Sequence, residues 1–421
     1  MNNFTTNCYE MKREIANLSK KLSKGVSKPT YKFLTDILYG LAKNGSCLIS
    51  EIARALDEDI KLINIIKRLC DNLAYFNAEE KKIIWNNYIN HLAKHVDKSN
   101  PIALFDDSDI NKEYSRKLED LDKVIDASSQ EKRLVNGYHV CEAVVLTQNQ
   151  AQPISVYSKI YSCKSESFKS MNEYTQESIK AVENVVGTEF TGVFDRGYDD
   201  NKIIDYMSND YRKFVVRLND KRILLLKGKR RKVEEVANSR KGKIVYKALF
   251  DNNESVELTV SYTKAVLPYN KKEYTVVIIY GLNDEHPMKL LTNIKAKSKE
   301  DVIKIVRLYL SRWRIEEHFR GKKQEYDFEN MRVRTLESMN NLNMILTMLL
   351  GHIAILADNI NKRLLTIKII YASQSLKSTC IVWLSQLARG IKEILKHANR
   401  GIKEWEYDQI NIKCEQLALD I

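Results

Sequence analysis

The order of apolar runs and helical segments predicts an α/β fold: a mixed sheet flanked by helices, interrupted by a β-rich insertion, with helical regions at both ends. Three observations carry this. Ile102-Ala103-Leu104-Phe105 is a continuous apolar run of the kind buried on both faces of a sheet. Two further strand-like segments follow it through a hairpin-length connection. Beyond them, helical and strand-like segments alternate.

Taken in order, residues 1–100 read as helical. A segment from Lys28 to Lys43 stops at Asn44-Gly45. A short amphipathic helix over Leu48–Leu56 and another over Ile60–Leu73 flank Asp57-Glu58-Asp59. That pair has the shape of a helix-turn-helix, with a plain helical bundle as the other reading. Residues 101–219 carry the first strand, ending at Asp106. Strands over His139–Thr147 and Ile154–Tyr161 follow, then a helix over Phe168–Val186. A short strand over Thr191–Phe194 closes on Asp195, a helix is capped at Asp199-Asp200, and a fifth strand covers Lys213–Leu218. Three strands joined by tight turns, then helix, strand, helix and strand, is a ribonuclease-H-like order. A doubly wound parallel sheet would alternate strictly.

Residues 220–289 form the β-rich insertion. Between Asp220 and Lys247 there are eleven Lys or Arg against three acids, a local charge of +8 centred on Lys229, Arg230, Arg231 and Lys232. A solvated strand edge is one reading and phosphate contact the other, favoured by the rest of the chain. Residues 290–335 resume the core. A strand over Leu290–Ile294 precedes an S-x-x-D helix start at Ser298–Asp301 and one long helix through about Lys323. Residues 336–421 are helical. The apolar stretch Leu342–Ala357 includes Asn343 and His352 and reads as a buried helix, not a membrane span.

Composition narrows the function. The 421 residues hold 68 Lys or Arg against 55 Asp or Glu, a net charge of +13, with 44% hydrophobic residues. A folded basic chain points to nucleic acid before membrane. Seven scattered cysteines without CxxC spacing argue against a disulfide framework or a structural zinc site, and suit a reducing cytosol. No apolar leader opens the chain, so a cytoplasmic, nucleoid-associated protein is expected. No glycine loop suited to cradling phosphates appears, so no nucleotide cofactor is expected. His91 and His95, four residues apart, lack a third ligand and read as structural, as does His318.

The long helix is the most informative segment. On an ideal helix, Tyr309, Arg312, Glu316, Arg320 and Lys323 share one stripe about 80° wide. Upstream, Val302 and Ile305 lie on the same stripe, so the face turns from apolar to charged, as a functional site overriding a core would make it. Asp106 and Asp195 each follow directly on an apolar strand, where a carboxylate is rigidly held and open to solvent. Two such aspartates, a helix-borne glutamate and a basic chain favour a hard-cation site for Mg²⁺ or Mn²⁺. Such sites perform phosphoryl transfer on nucleic acid by a two-metal mechanism.

These residues resemble the DDE transposases of the bacterial insertion-sequence-four family. Leu104-Phe105-Asp106-Asp107-Ser108 is similar to that family's first-aspartate segment, and the spacing to Ser108 selects Asp106 over Asp107 and Asp109. Phe194-Asp195-Arg196-Gly197-Tyr198-Asp199 is similar to the second. Tyr309, Arg312, Glu316 and Lys323 match its Y-(2)-R-(3)-E-(6)-K signature at every position. The resemblance covers about residues 101–335. It implies Asp106, Asp195 and Glu316 as a catalytic triad holding two divalent ions. It also implies Tyr309, Arg312 and Lys323 as DNA contacts, with Arg320 and the basic run as further candidates. Double-stranded DNA, as terminal inverted repeats and target, would be the partner of a homodimer. The competing expectations are a structure-specific nuclease on the same fold and a DNA-binding regulator.

Overall fold

The computed structural model describes residues 2–126, 131, 133–149, 151–209, 212–249, 255–282, 286–358, 364–373, 383–398 and 401–403. Five helices open the chain: α1 (Asn2–Leu22), α2 (Lys28–Asn44), α3 (Ile49–Ala55), α4 (Leu62–Ala74) and α5 (Ala78–Leu92). Ser27 caps α2 by accepting from the Thr30 amide, and Gly45 ends it in the left-handed region at φ 60°. The pair α3 and α4 matches the two helices expected there.

The sheet begins with β1 (Ile102–Asn111), β2 (Asp122–Ile125), β3 (Leu134–Leu146) and β4 (Pro153–Tyr161). Next come α6 (Met171–Val186), β5 (Thr191–Phe194), α7 (Asn201–Ser208) and β6 (Lys213–Arg217). β1 pairs antiparallel with β3 and parallel with β5; β5 pairs parallel with β6, and β4 antiparallel with β3. The resulting order, β4-β3-β1-β5-β6, is the ribonuclease-H-like arrangement, with α6 packed on β3 and β4.

β1 does not stop at Asp106. It continues to Asn111 because β3 pairs with it from Ala103 through Asn111, and a backbone ladder is indifferent to side-chain polarity. What ends at Phe105 is the pairing with β5, whose last residue, Phe194, lies opposite it.

The basic stretch builds β7 (Ile223–Leu226), β8 (Lys229–Lys232), α8 (Val233–Asn238), β9 (Ile244–Leu249), β10 (Ser255–Val266) and β11 (Glu273–Tyr280), and β12 (Met288–Thr292) returns to the core. β12 pairs with both β6 and β11, so among the described residues these strands extend the same sheet to twelve. The charged run Lys229–Lys232 is a fully exposed edge strand, seven strand positions from β1.

The helix expected over Ser298–Lys323 is two: α9 (Lys299–Leu310) and α10 (Trp313–Glu325). Ser298 and Asp301 form the expected capping box of α9. At the junction the amides of Arg312, Arg314 and Ile315 bond three residues back, and the Ser311 hydroxyl donates to the Leu308 carbonyl at 2.7 Å. The chain tightens into 3₁₀ geometry there, advancing more degrees per residue than the α-helix on which the charged stripe was drawn. Then follow α11 (Leu336–Asp358), α12 (Leu364–Ala372) and α13 (Leu384–Lys396). α11 is long and apolar enough to cross a membrane, yet 89% of its most apolar window is buried against β4 and neighbouring helices, as a core helix.

Candidate active site

Register explains why two aspartates distant in sequence meet. Phe105 and Phe194 lie side by side on β1 and β5, buried and stacked with ring centroids 4.5 Å apart. Successive side chains of a strand alternate faces. The residues that follow, Asp106 and Asp195, therefore share the opposite face; Asp195 is still extended, at φ −78° and ψ 178°. Asp107 falls on the phenylalanine face with Cys141, its partner in the ladder. Asp106, and not Asp107, therefore shares a face with Asp195.

Arg312, at the tightened junction, reaches all three expected carboxylates. Its Nη1 lies 3.3 Å from Asp106 Oδ2 and its Nε 3.9 Å from Asp195 Oδ1, while Nη2 donates to Glu316 Oε1. Tyr309 donates its hydroxyl to Asp195 Oδ1 at 3.1 Å, and Arg217 Nη1 stands 4.0 Å from the same oxygen. The junction brings Tyr309, Arg312 and Glu316 together. It does not bring the other two signature-stripe cations in. Arg320 is exposed and paired with Glu317, and Lys323 pairs with Glu329 at 3.0 Å.

The electrostatics are unbalanced towards negative charge. Burial pushes the Asp106 carboxyl up to about 7; Arg312 opposes this, and Asp195, Asp107 and Glu316 reinforce it. Burial, then Asp195, pushes the Tyr309 hydroxyl up to about 12, so it remains a donor. The Asp106 side chain is 18% exposed and that of Glu316 53%, so the cluster opens to solvent on the α10 side. Three carboxylates with one central guanidinium leave an excess of hard oxygen donors. Such a set fits Mg²⁺ or Mn²⁺, whose charge would relieve the cost of ionising Asp106.

Sequence reasoning missed a third carboxylate on this face of the sheet. Glu142 lies opposite Asp106 in the β1–β3 ladder and is wholly buried. Its Oε1 meets His318 Nε2 at 3.1 Å and its Oε2 meets Lys322 Nζ at 2.7 Å, both from α10. Lys322 also donates to Ser158 at 2.9 Å and to Asn343 at 3.2 Å, which ties α10 to β4 and α11. The only sequence signal was a polar side chain, Glu142, inside an apolar strand.

A family model for the transposase DDE domain matches residues 99–351, more than half of the chain. No curated protein matches it in sequence. Among solved structures, the chain resembles a piggyBac transposase synaptic complex with hairpin DNA at 11% identity, with 96% of this chain and 84% of that one covered and a TM-score of 0.45. The NurA nuclease from Sulfolobus solfataricus gives 10% identity, 72% and 95% coverage and a TM-score of 0.27. Endonuclease V of Ciona intestinalis, bound to DNA, gives 16%, 55% and 90%, and 0.21. These distant likenesses add nothing to the family match, which spans both aspartates, Glu316 and the strands and helices that carry them. The chain belongs to the transposase DDE domain family.

Proposed function

We propose that this transposase is of the insertion-sequence-four type, cuts DNA at the ends of its own element and joins the freed 3′-hydroxyls to target DNA. Asp106, Asp195 and Glu316 would hold two Mg²⁺ or Mn²⁺ ions. When bound, these supply activation of water or a 3′-hydroxyl and stabilisation of the leaving oxygen. The observation that carries the reading is the convergence of those three carboxylates on Arg312 from β1, β5 and α10.

The chain's own residues divide the remaining work. Tyr309 holds the Asp195 carboxylate through its hydroxyl, fixing the same Oδ1 that Arg312 and Arg217 approach. Arg312 offsets part of the charge of the three carboxylates in the free protein, and its planar fork suits bidentate contact with a scissile phosphate. Arg217, close to Asp195, adds positive charge beside the same phosphate path. Arg320, Lys323 and the edge strand Lys229–Lys232 would grip flanking DNA backbone, the last at a distance that suits a long duplex end. Two ends must be brought together, which is the reason for expecting a homodimer on DNA.

The test is incubation of the purified chain with Mg²⁺ and DNA carrying the inverted repeats that flank its own gene. Nicks at the repeat ends followed by joined products support the proposal. Cuts without joining would assign a nuclease, and tight binding without cuts a regulator.

A further inference from the structure

On the opposite face of the sheet from the carboxylate triad, the geometry points to a zinc site formed by Asp122, His139 and Cys163. One ligand atom of each lies within 4.8 Å of the others. The three come from separate elements. Asp122 begins β2, His139 lies within β3, and Cys163 follows the end of β4. β2 pairs with Leu134–Gly137 and β4 with His139–Leu146, so the start of one strand and the end of the other meet beside His139.

His139 Nδ1 meets Asp109 Oδ1 at 3.0 Å, and the imidazole is stacked on Tyr161 with ring centroids 5.3 Å apart. The Asp109 contact commits Nδ1, so Nε2 is the nitrogen left for a metal. A histidine ligand whose other ring nitrogen is held by a carboxylate is the usual outer support of zinc centres. Asp122 is also fixed: its Oδ1 accepts from the Lys123 amide at 2.7 Å and its Oδ2 from the Cys163 amide at 2.9 Å. Each oxygen keeps a second lone pair for a cation.

The donor set selects the metal. One thiolate, one imidazole and one carboxylate are a borderline-soft mixture that suits Zn²⁺ and excludes Mg²⁺ as the preferred occupant. Three protein ligands leave a fourth tetrahedral position, and the exposure of Cys163 opens it to water. On binding, the Cys163 thiol releases its proton to solvent. The site would clamp β2, β3 and the chain after β4 beside Asp109, three residues along β1 from Asp106. It was invisible to cysteine spacing because its ligands are seventeen and twenty-four residues apart.

The test uses the full chain, reduced and stripped with chelator, titrated with Co²⁺ as the spectroscopic substitute for Zn²⁺. A thiolate-to-cobalt charge-transfer band is expected at one equivalent, displaced by Zn²⁺. Cys163→Ser should abolish it, and Asp109→Asn should weaken affinity about 10–100-fold. Glu316→Ala should leave it intact, which separates this site from the triad. Zn²⁺ should also slow iodoacetamide labelling of Cys163, read by peptide mass spectrometry. Absence of the band, or a band that survives Cys163→Ser, would overturn the proposal.

Discussion

Asp106 and Glu142 face each other across two strands, point to the same side of the sheet and meet the same helix, yet their chemistry is opposite. Burial drives the Asp106 carboxyl up to about 7, because one shared guanidinium does not offset three neighbouring carboxylates. Burial acts on Glu142 as well, but Lys322 and the His318 hydrogen bond overcome it and hold the carboxyl down at about 2. A charge with its own buried cation and saturated oxygens is architecture. A charge left short of partners at an opening is a place for something to bind. The contrast shows how α10 is used: His318 and Lys322 anchor it, and Glu316, two residues before the anchor, faces solvent.

The largest effect that could break this contrast is on folding. Glu142→Ala leaves Lys322 buried without its anion and should cost about 3–5 kcal/mol. Urea unfolding would measure it, and a loss below about 1 kcal/mol would mean that the anchor is ornamental. The sign with pH follows: Glu142 contributes stability above its unfolded value of about 4.3, lost as pH falls towards 2.

Asp106 should do the reverse. Between its unfolded value of about 3.9 and about 7, the folded chain binds the extra proton, so stability falls as pH rises and the cost is complete above 7. Without divalent metal at pH 8, Asp106→Asn should therefore stabilise the chain, on the order of 2 kcal/mol, and with Mg²⁺ present it should remove cleavage. A thermal melt at pH 8 checks it, and a lower midpoint for the variant would show that Arg312 already balances the site. The smallest effect concerns the edge strand. Replacing Lys229, Arg230, Arg231 and Lys232 with Ala should leave folding unchanged and flatten the salt dependence of DNA binding by up to about four phosphate contacts. An unchanged slope would return β8 to a solvated edge.

The positions of the three clustered carboxylates were legible because each has a local signature. An apolar run before Asp106 and before Asp195 marks two strands, and the spacing from Tyr309 to Glu316 marks the helix face. The break at Ser311–Arg312 was not legible. Helical periodicity assumes one pitch, and no glycine or proline announces a tightened turn there. The Glu142–Lys322 pair spans 180 residues, and no local pattern encodes a contact across that distance. The continuation of β1 to Asn111 was hidden for a related reason, since hydropathy reports burial and not ladder pairing.

Glu316 of α10 would then serve chemistry, and the buried Glu142 of β3 the fold. Glu316→Ala tests this division most directly, assayed beside the unaltered chain for Mg²⁺-dependent cleavage of element-end DNA, for DNA affinity and for melting. Cleavage should be lost, with affinity within about twofold and the melt unchanged, since surface substitutions usually shift stability by less than about 0.5 kcal/mol. Cleavage that persists, or affinity and folding that collapse with it, would contradict the assignment of Glu316.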